Sequence, residues 1–357
     1  MEPFFLGREA FASMVAAIDG AQREVFIESY VLESDATGNV FREALERAAG
    51  RGVTVRVLAD ALGSIATAAL YWRKLRKRGI EVRLFHPLLT HSWFLRDHRK
   101  ILVVDRSLSF TGGMNIGKKY GSFGRHRHPG AWRDTHVRVT GSVSWELAIV
   151  FSEGWVRAGG APFGIPPHDE KATVGTATIL VLDSRPGRGH EETASTFSAI
   201  IAAAREAIWL TNAYFAPSRA TLAALAAAAR RGVDVRLLLP GLTDVPLVRH
   251  AGHGSFRRLL EAGVRIFEYQ PEVLHAKTLV ADSFVSVIGS TNFDFRSFHL
   301  NAECNLVILD DDTARTLANA CENDMNRAAE ISPAVWNRRN ALHKAGDVVA
   351  KGLSPLL

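Results

Sequence analysis

The chain is poor in cysteine, with only Cys304 and Cys321 among 357 residues. Two thiols cannot build a disulfide framework and their spacing fits no metal-ligand pattern, so both read as buried thiols of a reducing compartment. Long apolar runs are also missing. No stretch free of Asp, Glu, Lys and Arg exceeds twelve residues, against the roughly 18 that a membrane-spanning helix requires, so the chain is not expected to cross a bilayer by itself. A secretory leader is not expected either. Arg8, Glu9 and Asp19 interrupt the apolar residues of the amino end, and no small-residue cleavage pattern follows a long apolar core. The expected location is cytoplasmic, peripheral to the inner face of the cell membrane. Neither sign of charge dominates: 43 Lys and Arg against 37 Asp and Glu leave +6, a modest lean toward phosphate, nucleic acid or lipid headgroups. With 47% hydrophobic and 22% charged residues, the composition is that of a folded chain with room for one large or two medium domains.

What the sequence does contain is a repeat. Arg23-Glu24 opening EVFIESYVL returns as Arg205-Glu206 opening AIWLTNAYF, and RGVTVR at 51–56 returns 180 residues later as RGVDVR at 231–236. Gly79-Ile80-Glu81-Val82 answers to Gly263-Val264-Arg265-Ile266, and His98-Arg99-Lys100 to His275-Ala276-Lys277, at offsets of 184 and 177. Steady offsets in one order indicate two copies of one domain. Within each copy, β-branched runs at 53–58 and 233–239 alternate with helical stretches at 41–49 and 222–230, which predicts an α/β fold with helices on both faces of a layered sheet. The Gly- and Pro-rich segment 159–172 reads as a linker, giving domains at 1–158 and 173–357. The second is expected to open on a strand at 176–183 and to close with helices from about residue 311.

Residues 98–115 read HRKILVVDRSLSFTGGMN and residues 275–292 read HAKTLVADSFVSVIGSTN, identical at eight of eighteen positions. Both KILVVD and KTLVAD look like strands, whose period of two would set His98 with Lys100, and His275 with Lys277, on one face. Two such faces brought together suit a phosphodiester. One imidazole attacks phosphorus, the other protonates the departing oxygen, and the lysines with Asn115 and Asn292 hold the nonbridging oxygens. The scheme requires no metal and no cofactor. Carboxylates shortly after each motif are candidates to orient the rings: Asp134, 36 residues after His98, and Glu303, 28 after His275. A carboxylate on one ring nitrogen fixes the tautomer; the alternative is a structural ion pair with Arg133 or Arg296. Asp105 and Asp282, at the far end of each strand, read as structural, as do Gly112, Gly113, Gly289 and Ser290. His126 and His128 form an H-x-H without an evident third ligand, and read as part of a basic loop.

The doubled pattern H-x-K-x4-D-x6-G-[GS]-x-N resembles the phospholipase D superfamily over nearly the whole chain. More narrowly, GSTNFDFRSFHLNAECN, WRDTH, TNAYFAP, PGLTD and the closing LSPLL are similar to bacterial cardiolipin synthases of that type, in a short form without preceding membrane helices. The resemblance implies two tandem phospholipase D-type α-β-α sandwich domains with pseudo-twofold symmetry and one active site at their interface. It also implies phosphatidyl transfer through a phosphohistidine, with His98 as nucleophile, His275 as acid and later base, and Lys100, Lys277, Asn115 and Asn292 on phosphate. Phosphatidylglycerol is the implied donor and acceptor, with phosphatidylethanolamine open as donor.

Such an enzyme would reach lipid by surface contact. Leu88, Leu89, Trp93 and Phe94 just before His98, with the basic run at residues 73–78, combine apolar insertion with attraction to an anionic phospholipid surface; core packing and a solvated helix face are the alternative. The segment 335–357 mixes basic and apolar residues in the same way. The competing function is a phosphodiesterase in which water discharges the same intermediate on lipid or, less readily, nucleic acid. No aromatic stacking series is interleaved with the basic residues, so nucleic acid is not expected as a partner.

Overall fold

The computed structural model describes residues 1–86, 94–123, 130–167 and 175–340, together with 346, 347, 350 and 352. The chain divides into two compact units, Met1–Thr176 with Ala302–Asn305, and Ala177–Asn301 with Leu306–Leu357.

The first unit is built on a seven-stranded sheet. Its middle is parallel: β2 (Glu24–Ser29), β3 (Thr54–Asp60) and β4 (Glu81–Phe85) lie side by side. On the other flank of β2 run the antiparallel β5 (Lys100–Val104), β6 (Leu108–Gly112), β7 (His136–Thr140) and the edge strand β1 (Glu2–Phe4). Every residue of β2 and β5 is buried, because helices cover the sheet: α1 (Gly7–Gly20) packs against β5 and β7, and α4 (Ser142–Arg157) against β2, β5 and β7. Phe26 of β2 stacks on Phe151 of α4 with ring centroids 5.0 Å apart, and each such side chain removed from water contributes roughly 1.5–3 kcal/mol. The helix α2 (Ala36–Gly50) starts where the Asp35 carboxylate accepts from the Gly38 N–H, an N-cap that satisfies one of the free amides of the first turn.

The second unit repeats this order. Its eight strands run β15-β11-β10-β9-β12-β13-β14-β8. Here β9 (Ala207–Asn212), β10 (Asp234–Pro240) and β11 (Arg265–Tyr269) are the parallel set. Then come β12 (Lys277–Ala281), β13 (Val285–Gly289), β14 (Glu303–Leu309) and β8 (Thr178–Ser184), with a small extra edge, β15 (Ala328–Glu330). Ile208, Leu210, Leu237, Ile266, Leu279 and Phe293 form its core, and α6 (Arg219–Arg230), α7 (Pro246–Glu261) and α9 (Asp311–Met325) flank the sheet. The expected α/β architecture is therefore present twice, with strand and helix positions close to those predicted. Among the described residues no helix is long and apolar enough to cross a membrane.

The motif aspartates explain how each sheet is tied together. Asp105 and Arg106, and likewise Asp282 and Ser283, adopt left-handed φ values of 51°, 56°, 52° and 56° in the tight turns after β5 and β12, a conformation Asp tolerates better than most residues. The Asp105 carboxylate accepts from the N–H groups of Gln22, Arg23 and Glu24. The Asp282 carboxylate accepts from those of Arg205, Glu206 and Ala207. Each turn is thereby fastened to the start of the neighbouring strand, which fixes the registers Ser29 with Lys100 and Asn212 with Lys277. Burial pushes the Asp282 carboxyl up, but the three amides outweigh it and hold the group below its ordinary value of 3.8. A depressed carboxyl stabilises the fold above that ordinary value and loses the contribution as pH falls below it. Asp282→Ala is expected to lower unfolding stability by about 1–2 kcal/mol, a figure reduced for the solvent around the carboxylate. Urea titrations of the two proteins should differ fully at pH 7 and converge below pH 3.8.

Candidate active site

In the first unit the strand holding the motif begins at Lys100, so His98 stands two residues ahead of β5 and not inside it. β12 likewise begins at Lys277, as the KILVVD and KTLVAD runs predict, and leaves His275 two residues ahead of its strand. A different backbone contact places His98. The His98 N–H donates to the Ala302 carbonyl at 2.8 Å, and the Ala302 N–H donates to the Arg96 carbonyl at 2.8 Å, forming a short parallel bridge between Asp97 and Ala302. The next residue along that segment is Glu303. Its carboxylate meets Nδ1 of His98 at 3.0 and 3.1 Å, with the Glu303 side chain fully buried and that of His98 10% exposed. An acceptor-only carboxylate there requires the hydrogen on Nδ1 and leaves the lone pair on Nε2.

Glu303 follows His275 by 28 residues in sequence, yet in the structure it serves His98, 205 residues away. The sequence supplied the right kind of carboxylate for a histidine but not the crossing between copies. Asp134 is buried; its carboxylate accepts from the Thr135 N–H at 2.7 Å. It lies against Gly113, where a Cβ would stand only 2.1 Å from Oδ1. Gly112 has φ of 141°, and a Cβ there would press on the Thr135 carbonyl and the His136 ring. The two glycines therefore let the 134–136 backbone close over the end of β6. His136 is fully buried there, and burial, reinforced by Lys100, pushes it down to about 4 against the opposing pull of Asp134. It is neutral at physiological pH.

Lys100 donates to the His98 carbonyl at 2.6 Å and lies 5.5 Å from the Tyr30 ring centroid; Tyr30 in turn stands edge-on to the His98 ring at 5.0 Å. The amide oxygen of Asn115 accepts from the Val31 N–H at 3.0 Å, which leaves its NH2 group as donor. In the second unit Lys277 Nζ stands 2.9 Å from His275 Nδ1 and also donates to the His275 carbonyl, and Tyr214 is edge-on to the ring at 5.9 Å. Asn292 departs from Asn115: its N–H donates to Ser297 Oγ at 3.2 Å, and its buried amide oxygen has no hydrogen-bond partner among the described residues. Gly289 ends β13, and Ser290 after it is buried. Tyr30 and Tyr214 were not singled out from the sequence, although both stand just after the first strand of their repeats, in the compared segments ESYVL and TNAYF.

Behind His98 the other side chains of the motif form a buried charge network. Arg99 is completely buried, 3.0 Å from Glu28 and 3.1 Å from Asp97, and it donates to the Val150 carbonyl of α4. Burial would raise Asp97, but Arg99 and Glu28 outweigh it and hold the group below its ordinary value. Arg96 pairs with Asp60 at 3.2 Å, and Asp60 accepts from the Asp97 N–H at 2.9 Å; burial still pushes Asp60 up to about 6. The second copy has Ala276 in place of Arg99. Of the proposed lipid-contacting residues, Leu88, Leu89 and Trp93 lie outside the described residues, as do His126 and His128, and Phe94 is 43% exposed. The helix α3 (Ala69–Lys77) buries Tyr71, Trp72 and Leu75 and presents Arg73, Lys74, Arg76 and Lys77 to solvent.

A family model described as cardiolipin synthase, PLD-like domain, matches residues 14–124 and 197–325, which include both histidines, both lysines, both motif asparagines and Glu303. The cardiolipin synthase of Geobacillus kaustophilus is 34% identical over 98% of this chain and 71% of its own. Cardiolipin synthase 2 of Bacillus cereus is 34% identical over 98% and 69%. The chain belongs to the phospholipase D-like cardiolipin synthase family. It is an enzyme of the phosphatidyltransferase class. Among solved structures, phosphatidylserine synthase of Haemophilus influenzae shares the fold with a TM-score of 0.74 at 13% identity, covering 100% of this chain and 95% of that one. Polyphosphate kinase of Porphyromonas gingivalis does so with a TM-score of 0.63 at 14% identity, over 99% and 53%.

Two substitutions probe this geometry. Glu303→Gln keeps the shape of the side chain but removes the charge that fixes the His98 tautomer, and turnover is expected to fall about 10²–10⁴-fold with the circular dichroism spectrum unchanged. Arg99→Ala leaves two buried carboxylates without their cation and is expected to cost roughly 3–5 kcal/mol in denaturant unfolding, whereas an exposed control such as Arg73→Ala should stay within about 0.5 kcal/mol of wild type.

Proposed function

We propose that this enzyme transfers a phosphatidyl group from one phosphatidylglycerol to the hydroxyl of another, through a phosphohistidine on His98. The observation that carries the reading is the Glu303 carboxylate on His98 Nδ1, which presents Nε2 as a neutral nucleophile and supports the positive ring that forms when it bonds to phosphorus. In the first step Nε2 bonds to phosphorus, the bond from phosphorus to the glycerol oxygen breaks, and His275 gives that oxygen its proton. In the second step His275 takes the proton from the incoming hydroxyl, whose oxygen displaces Nε2. The products are cardiolipin and glycerol, and both histidines return to their starting states. Lys100, Lys277, Asn115 and Asn292 neutralise and hold the nonbridging oxygens, where charge grows in both transition states. Asp134 completes the set of orienting groups.

Access to lipid at an anionic membrane surface on the cytoplasmic side is part of this proposal. The exposed cations of α3 and the exposed ring of Phe94 support it, through attraction to anionic headgroups and shallow insertion.

The test is to incubate purified protein with labelled phosphatidylglycerol in mixed micelles in the presence of chelator and to separate cardiolipin, phosphatidic acid and unreacted lipid. Cardiolipin with stoichiometric glycerol is the expected outcome; phosphatidic acid alone would replace transfer by hydrolysis. His98→Ala and His275→Ala are each expected to remove nearly all turnover, since groups acting as a unit are lost together. Wild-type protein mixed with lipid labelled in its phosphatidyl group and quenched in alkaline denaturant, which preserves a phosphorus–nitrogen bond, should carry label on His98, and label on any other residue would overturn the assignment of the nucleophile.

A further inference from the structure

The second unit contains a cluster of ligating side chains that shares no residue with either motif. His250 and His253 are three residues apart on α7 and so occupy one face of that helix. Asp347, from the carboxyl-terminal segment, is 4% exposed and stands against them. Its Oδ1 lies 2.9 Å from His250 Nδ1 and 3.8 Å from His253 Nδ1, and one ligand atom from each of the three residues lies within 4.8 Å of the others. Ligands held about 2.0–2.1 Å from a tetrahedral zinc ion are spaced about 3.3 Å apart, between the two measured distances. Each of those two distances lies within about half an ångström of that spacing.

We propose that His250, His253 and Asp347 bind a divalent cation of the zinc type through both Nδ1 atoms and the Asp347 carboxylate. A second observation points to a ligand: His253 is 8% exposed, and its Nδ1, aimed at this space, has no hydrogen-bond partner among the described residues. The outer contacts are also those that a metal-binding imidazole requires. His253 Nε2 is 2.9 Å from Glu268, which fixes the tautomer with Nδ1 as the lone-pair atom. Glu268 is itself held by Arg249 at 2.9 Å. The outer oxygen of Asp347 is held by Arg339 at 2.8 Å, which orients the inner oxygen toward the histidines. With two nitrogens and one oxygen, the set suits zinc, cobalt or nickel better than calcium or magnesium. The cation would clip the carboxyl-terminal segment onto α7, and because binding requires the folded arrangement, it would stabilise that segment.

The experiment uses the full chain, stripped with chelator and titrated with Zn²⁺ by calorimetry, and with Co²⁺ by visible absorption. One site per chain and the intense d–d bands of tetrahedral cobalt are expected. Weakening of about 100-fold is expected in His250→Ala, whose side chain is 42% exposed and whose loss the fold should tolerate. A double variant, His126→Ala with His128→Ala, controls for the other histidine pair and should bind as wild type. No stoichiometric binding by wild type, or binding lost in the double variant and kept in His250→Ala, overturns the proposal.

Discussion

The contact between the Glu303 carboxylate and the His98 imidazole is the constraint on which the proposed first step of transfer depends. A histidine that attacks phosphorus must offer a lone pair from a defined nitrogen and must then carry a positive charge. One carboxylate on the opposite ring atom meets both needs. The side chain cannot find this partner from the local sequence, because nothing near His98 along the chain delivers a suitable acid to Nδ1. The parallel bridge of Asp97 with Ala302 does so. Two backbone hydrogen bonds set the segment 302–305 beside residues 96–98, and the carboxylate follows as a geometric consequence. Four residues that follow the second motif, Ala302–Asn305, thus belong to the first compact unit.

Around that contact the sheet supplies rigidity in a graded way. Asp105 fastens the turn after β5 to the start of β2 by three N–H donors, and the register of β2 with β5 sets Lys100 opposite Ser29. Lys100 then returns its ammonium to the His98 carbonyl. The motif therefore acts as a chain of anchors, with its aspartate holding the strand, its lysine holding the histidine backbone, and its glycines making room for residues 134–136. The aspartate is far from the reacting atoms in sequence and direction, yet its substitution would disturb the frame from which they project.

Much of this was legible in the sequence. The repeat, the α/β alternation and the two H-x-K strands follow from periodicity and from residue types whose spacing is the same in both copies, which are local signals. What was not legible depends on approach between distant segments. The pairing of Glu303 with His98 needs a bridge across 205 residues, and no pattern near either residue encodes it. The backbone bond from the His98 N–H to the Ala302 carbonyl likewise joins segments far apart along the chain. Tyr30 and Tyr214 could have been found, since the segments carrying them had been compared, but an aromatic residue after a strand is ordinarily read as core packing. Arg99 gave no signal at all, because the corresponding residue in the second copy is Ala276.

That difference shows how two copies of one scaffold reach similar strands by different physics. Ala276 is apolar and fully buried, so the motif strand needs no charge behind it to form. In the first copy the same position carries a guanidinium whose removal from water is costly unless every donor is matched. Glu28, Asp97 and the Val150 carbonyl meet that demand from β2, the motif segment and α4. Because each partner comes from a different element, the network is satisfied in one arrangement of strand and helix and in few others. Asp97, held from behind by Arg99 and through its N–H by Asp60, is also the residue that bridges to Ala302. The charge network therefore defines the position of the backbone that receives Glu303.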